Sequence, residues 1–175
     1  MQVRVAPFYA KYPVGLPPRA KRNCLNFGTA KNCFTLNHRY TMPATPKKLF
    51  TTDYELHASI KMLYPYLESA GGLSEWFADD VRISPEKVFT FEWDTEVRKA
   101  VIKSHRANHF VRFEFLPETE AEKTDPAYFE LRLEINELTQ TTFLKVTDYS
   151  DFNDLEELRD LWDGLVDNLK KVVGG

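Results

Sequence analysis

With 175 residues the chain has room for one domain with a substantial core, and not for two. Its 43% hydrophobic and 28% charged content is that of a globular protein in water. No apolar run approaches the length of a membrane-spanning helix, which excludes a helical span.

The net charge of −3 is unevenly spread. Residues 1–41 carry seven Lys or Arg and no acid, a charge of +7, whereas residues 42–175 hold all twenty-six acids and stand at −10. The acidic surface of the second block argues against nucleic-acid binding by it. In the first block Pro7, Pro13, Pro17 and Pro18 interrupt any helix, including the amphipathic one of a mitochondrial leader, and no apolar stretch suits a secretory signal. Arg19, Lys21 and Arg22 form only a small cluster for meeting phosphates. The block reads as a disordered extension. A sharper expectation is that Met42 is the true initiator, which a native mass including residues 1–41 would contradict. Cys24 and Cys33 have eight residues between them and only His38 nearby, which is no metal-ligand pattern. They imply a reducing, cytoplasmic setting without a structural disulfide.

From Lys48 onward the chain is periodic. Lys48–Ala58 alternates as a strand, with Phe50, Thr52, Tyr54 and Leu56 on one side. Ser59 caps a helix that places Ile60, Leu63, Tyr64 and Leu67 on one face, and Pro65 keeps it short or kinked. Ala70-Gly71-Gly72 is expected to break it, before a second short helix with Leu73, Trp76 and Phe77 as its apolar side.

A meander of strands follows: Asp80–Ser84, Val88–Trp93, Val97–Arg106, His109–Leu116, Tyr128–Ile135 and Thr141–Tyr149. Phe89, Phe91 and Trp93 share a face, as do Val111, Phe113 and Phe115, and Phe129, Leu131, Leu133 and Ile135. Ala100-Val101-Ile102 leaves the inward face of its strand ambiguous, and Pro117–Pro126 reads as an acidic loop. Short connections between the later strands make them hairpins. One apolar and one charged face per strand means a sheet covered on one side only.

The cover is the last segment, Asn153–Val173. Leu155, Leu158, Trp162, Leu165, Leu169 and Val172 recur at three- and four-residue steps, with Leu161, Val166 and Val173 widening the stripe. Asn153 is placed to cap the helix with Glu156 reaching back, and acids at the start and lysines at the end suit its dipole. The expected architecture is α+β: a seven-stranded curved antiparallel sheet around a long C-terminal helix, with two short helices after the first strand.

This order of elements resembles the helix-grip fold of the START/Bet v 1-like (SRPBCC) superfamily. Gly72-Leu73-Ser74-Glu75-Trp76-Phe77 resembles the second-helix motif of its Aha1-like branch, and Leu161-Trp162-Asp163-Gly164-Leu165-Val166-Asp167-Asn168-Leu169 is similar to that branch's C-terminal helix. Leu73–Val81, with Thr147-Asp148 before the last helix, is similar to small bacterial START-like proteins. The resemblance covers residues 48–173. It implies a cavity between sheet and helix that takes lipids or other hydrophobic molecules. Aha1-like members are linked to the Hsp90 chaperone, and some relatives are polyketide cyclases or aromatases, so a protein partner or a cyclase-type activity are its other implications.

The candidates for lining such a pocket are Trp76, Phe77, Phe89, Phe91, Trp93, Phe113, Phe115, Leu131, Leu158, Trp162 and Leu165. Each serves equally as a core side chain, since inward aromatics ordinarily pack against one another. No catalytic constellation is visible: there is no nucleophile elbow, phosphate loop or metal-ligand spacing. His57, His105 and His109 are scattered over different strands and read as surface residues. Asp79-Asp80 reads as a turn rather than a metal site. Asp148, on the inner side of its strand or acting as a turn cap, is the one acid worth locating. Gly164 reads as a point of close packing. The chain is therefore expected to be a non-enzymatic domain binding a hydrophobic small molecule or lipid, without cofactor or metal. The alternatives are a protein-interaction module of the Aha1-like type or a cyclase-like enzyme.

Overall fold

Alternating side chains build the sheet. The computed structural model describes residues 46–175 apart from Thr95, Asn153 and Gly175. The basic block with Cys24, Cys33, His38 and Met42 lies outside them. Seven strands form one antiparallel sheet: β1 (Lys48–Leu56), β2 (Asp80–Ile83), β3 (Val88–Trp93), β4 (Glu96–Arg106), β5 (Phe110–Phe115), β6 (Tyr128–Ile135) and β7 (Thr142–Ser150). Their order is β1-β7-β6-β5-β4-β3-β2. Neighbouring strands are consecutive in sequence except β1 with β7, which pairs the first strand with the last at Lys48↔Ser150 through Leu56↔Thr142. The curved sheet grips one long helix, the α+β helix-grip architecture expected from the sequence.

Two strands depart from simple alternation. The ambiguity of β4 has a physical cause: its register on β5 shifts between Ile102 and Ser104. A bulge there reverses which side chains face inward, so no single alternation fits the strand. Ile135 has the parity of an inner residue, yet it ends β6 beyond the covered part of the face and stays half exposed.

The two helices after β1 are α1 (Ile60–Glu68) and α2 (Ala70–Trp76). The expected break at Ala70-Gly71-Gly72 lies instead at Ser69, which ends α1 and caps α2, its Oγ accepting from Gly72 N at 3.0 Å. The glycines belong to the first turn of α2. A Cβ on Gly72 would stand 2.5 Å from both Pro65 O and Tyr66 Cα, so the tight α1–α2 corner requires glycine there. The acidic loop after β5 contains a short helix, α3 (Glu120–Thr124).

The last helix is α4 (Leu155–Val173). Its cap is Asp154, whose carboxylate accepts from Glu156 N and Glu157 N; Asn153, expected in that role, lies outside the described residues. Gly174 closes the other end with φ +78°, donating its N–H to Lys170 O. Leu158, Leu161, Trp162, Leu165, Val166, Leu169 and Val173 are buried. Leu155 and Val172 are not, because the stripe centres on Trp162 and Leu169 and the two lie at its ends. Gly164 is not a point of close approach, since a Cβ there would meet nothing within 4 Å.

Candidate functional site

The inner face of β3 presents Phe89, Phe91 and Trp93, that of β5 Phe113 and Phe115, and that of β6 Phe129, while α2 adds Trp76 with Phe77 as its C-terminal cap. All eleven side chains proposed to line a pocket are buried in one cluster. Phe77 is its hub. Its ring lies 5.5 Å from Phe91, 5.7 Å from Trp93, 4.8 Å from Phe129 and 5.8 Å from Trp162. Phe91 and Trp93 stack at 5.5 Å, Phe89 meets Phe113 edge-on at 5.1 Å, and Phe113 stacks on Phe129 at 4.9 Å. Phe115 adds a contact to Phe129 at 5.7 Å, and Leu131, Leu158 and Leu165 complete the layer. Phe129, an inward residue by its alternation in β6, is central. The region between Trp162 and Phe91, where a ligand was expected, holds the rings of Phe77 and Phe129.

Each tryptophan in the cluster satisfies its one donor. Trp76 Nε1 donates to Tyr66 O and Trp93 Nε1 to Phe77 O, both at 2.9 Å, which ties α2 to α1 and to the sheet. Trp162 Nε1 donates to Asp148 Oδ2 at 3.1 Å. Asp148 is an inner-face residue of β7 rather than a turn cap, and both partners are 0% exposed. A carboxylate at this depth is costly unless it is hydrogen-bonded, and its partner is the helix residue at the centre of the apolar stripe.

Further polar groups ring the cluster. Tyr54 on β1 donates to Asp163 on α4 at 2.6 Å, and burial together with that bond raises its phenol above the ordinary value. At the end of the inner face where α4 begins, Glu96 and Arg98 on β4 approach at 3.9 Å. Burial raises the Glu96 carboxyl, Arg98 opposes this, and Glu118 and Asp151 push it further up.

A solvent-open cleft of about 380 Å³ lies at the α1–α2 corner, walled by Lys61, Met62, Pro65, Tyr66, Gly71 and Glu75. Met62 is 54% exposed there. This concavity faces away from the expected pocket. His57, His105 and His109 are exposed, as surface residues should be. Asp79 Oδ2 accepts from Asp94 N at 2.8 Å and Asp80 pairs with Arg82 at 2.6 Å, so the two acids serve a turn and an ion pair. Among the described residues, no group of three or more His, Cys, Asp or Glu could hold a metal, and no helix is long and apolar enough to cross a membrane.

Residues 44–175 match the family model described as "START-like superfamily domain". The chain belongs to the START-like superfamily. The solution structure of BfR322 from Bacteroides fragilis is 34% identical, over 73% of this chain and 91% of that one, with a TM-score of 0.51. The Aha1 dimer from Colwellia psychrerythraea shares the fold at 16% identity, covering 72% and 96% of the two chains, with a TM-score of 0.59. MLL2253 from Mesorhizobium loti does so at 12% identity, covering 73% and 97%, also with a TM-score of 0.59. Among curated proteins, none matches the chain.

Proposed function

We propose that this START-like domain binds an apolar small molecule or lipid between α4 and the inner sheet, without catalysing a reaction. The observation that carries this reading is the position of Phe77. Of the two rings between Trp162 and Phe91, that of Phe77 comes from the end of α2, outside the sheet and α4. Displacing the Phe77 ring, with Phe129 left in place, would leave an aromatic wall of Phe91, Phe129 and Trp162 beside Asp148, the composition of a ligand site. The ligand then replaces Phe77 as the partner of Phe91, Phe129 and Trp162. Native mass spectrometry and thermal shift against fatty acids, sterols and planar aromatics test this. A one-to-one adduct with a rise in Tm is expected; a panel without adduct or shift would sink it.

A second reading, a protein-interaction module of the Aha1-like type, is favoured by the α1–α2 cleft. Exposed Met62 lies there between Lys61 and Glu75, neither of which has an ion-pair partner among the described residues. Reproducible co-purification of one protein, a chaperone among the possibilities, that is lost in Met62→Asp would support this reading over the first.

A further inference from the structure

Among the described residues the most exposed large apolar side chain is Leu138, at 95%. It stands at the tip of the β6–β7 turn, and the backbone around it is braced. Asn136 Oδ1 accepts from Leu138 N at 2.9 Å and from Thr139 N at 3.3 Å. Gln140 N donates to Asn136 O at 2.7 Å, Asn136 N donates to Thr141 O at 2.9 Å, and Gln140 Nε2 donates to Glu137 O at 2.9 Å. Gln140 holds φ +58° to close the turn. A leucine fixed in this way meets a partner with its backbone already ordered, so docking costs little further entropy.

The α1–α2 cleft opens at the same end of the molecule. Leu56, the last residue of β1, and Ile135, the last of β6, both stand opposite Thr142, so the turn and the end of β1 share one end of the sheet. α1 begins four residues after Leu56, with Lys61 and Met62 in its first turn and on the cleft wall. Tip and cleft match in shape and in charge. The protruding tip carries Glu137, Leu138 and Thr139, and the concave cleft carries Lys61, then Met62, Pro65 and Tyr66, then Glu75. Neither Glu137 nor Lys61 has an ion-pair partner among the described residues. Gly71 leaves its part of the cleft bare, since a Cβ there would meet nothing within 4 Å. The exposure of Leu138 shows that it does not enter the cleft of its own chain.

We propose that two copies of this chain pair about a two-fold axis, the Leu138 tip of each seated in the α1–α2 cleft of the other. Glu137 then meets Lys61 of the other copy, Leu138 packs beside Met62, and the Thr139 hydroxyl faces Glu75. Both halves of the contact belong to one chain and lie at one end of it, so a single two-fold arrangement satisfies both at once. The proposal rests on the cleft being a protein-docking site and names its occupant. Two such small contacts bury less than a standard interface, so the pair is transient.

Sedimentation equilibrium of the full chain at low ionic strength, from about 20 µM to about 1 mM, tests this. The mean mass is expected to climb toward that of two chains. Leu138→Asp and Met62→Asp, both at exposed positions, should each leave a monomer. Glu137→Lys and Lys61→Glu each set like charges against one another in both contacts and should weaken the pair about fivefold or more. Mixing these two variants restores opposite charges at both contacts and should recover association near that of the parent, as should combining both changes in one chain. A monomer throughout the range, an association that Leu138→Asp leaves unchanged, or a mixture no stronger than its components would overturn the proposal. The docking reading fails separately. A monomer that retains a foreign protein through Met62 keeps that reading and loses this occupant, and a monomer that retains none loses both.

Discussion

Trp162 donates its indole N–H to Asp148 Oδ2 at 3.1 Å, joining the middle of the last helix to the inner face of the last strand, with both side chains fully buried. The bond fixes the rotation of α4 over the sheet. Trp162→Phe keeps most of the ring volume but takes the indole donor from a buried carboxylate. A loss of about 2–4 kcal/mol is expected from urea denaturation. Asp148→Asn keeps an acceptor for the indole and should cost less than Trp162→Phe. Equal losses would show that ring packing, not the hydrogen bond, sets the stability.

Phe77 touches five other rings and ties α2 into the cluster. Phe77→Ala is expected to cost about 3–5 kcal/mol, as large-to-small substitutions in filled cores do. A cost well below that range, measured by chemical denaturation, would mean that the neighbouring rings collapse into the gap and that no ligand-sized space follows its withdrawal.

The glycines of α2 and α4 make opposite predictions. Gly72→Ala forces a Cβ against the Pro65 and Tyr66 backbone and should destabilise the fold by about 1–3 kcal/mol. Gly71→Ala and Gly164→Ala put a Cβ into open space within helices and should each stabilise by up to about 1 kcal/mol. Thermal unfolding of the three variants decides the signs.

Much of this architecture is legible in the residues. The alternation in Val88–Trp93, Phe110–Phe115 and Tyr128–Ile135 identifies both strands and inner faces, and the steps from Leu158 to Leu169 identify the helix and its buried stripe. What escaped reading depends on contacts between distant segments. Gly71-Gly72 looks like a helix break until the backbone of Pro65 and Tyr66 is brought against it. Asp148 looks like a turn residue until the indole of Trp162, fourteen positions later, supplies its partner. Gly164 looks like a contact point because small residues in helices often are, and nothing local shows the open space beside it. The same limit applies to the aromatics, because alternation identifies which rings face inward and not whether Phe77 fills the space between them.

Glu96 predicts a pH dependence. Burial first, then Glu118 and Asp151, raise its carboxyl above the ordinary value of 4.5. The folded chain therefore holds this proton more tightly than the unfolded chain. That contribution is fully present below the unfolded value and is lost as pH rises through the raised folded value. Glu96→Gln cannot ionise and should raise Tm near neutral pH, with the difference vanishing in acid below the unfolded value. An equal effect at both pH values would point to packing instead.

The most direct measurement is an NMR titration of the Trp76, Trp93 and Trp162 indole N–H signals with the apolar compound that gives the strongest native-mass adduct. A ligand seated between α4 and the sheet predicts a saturable shift of Trp162 and Trp93, abolished by Leu165→Trp, which fills the same space from the helix. Shifts confined to Trp76, which borders the α1–α2 corner, or a Trp162 signal unmoved at saturation would contradict it.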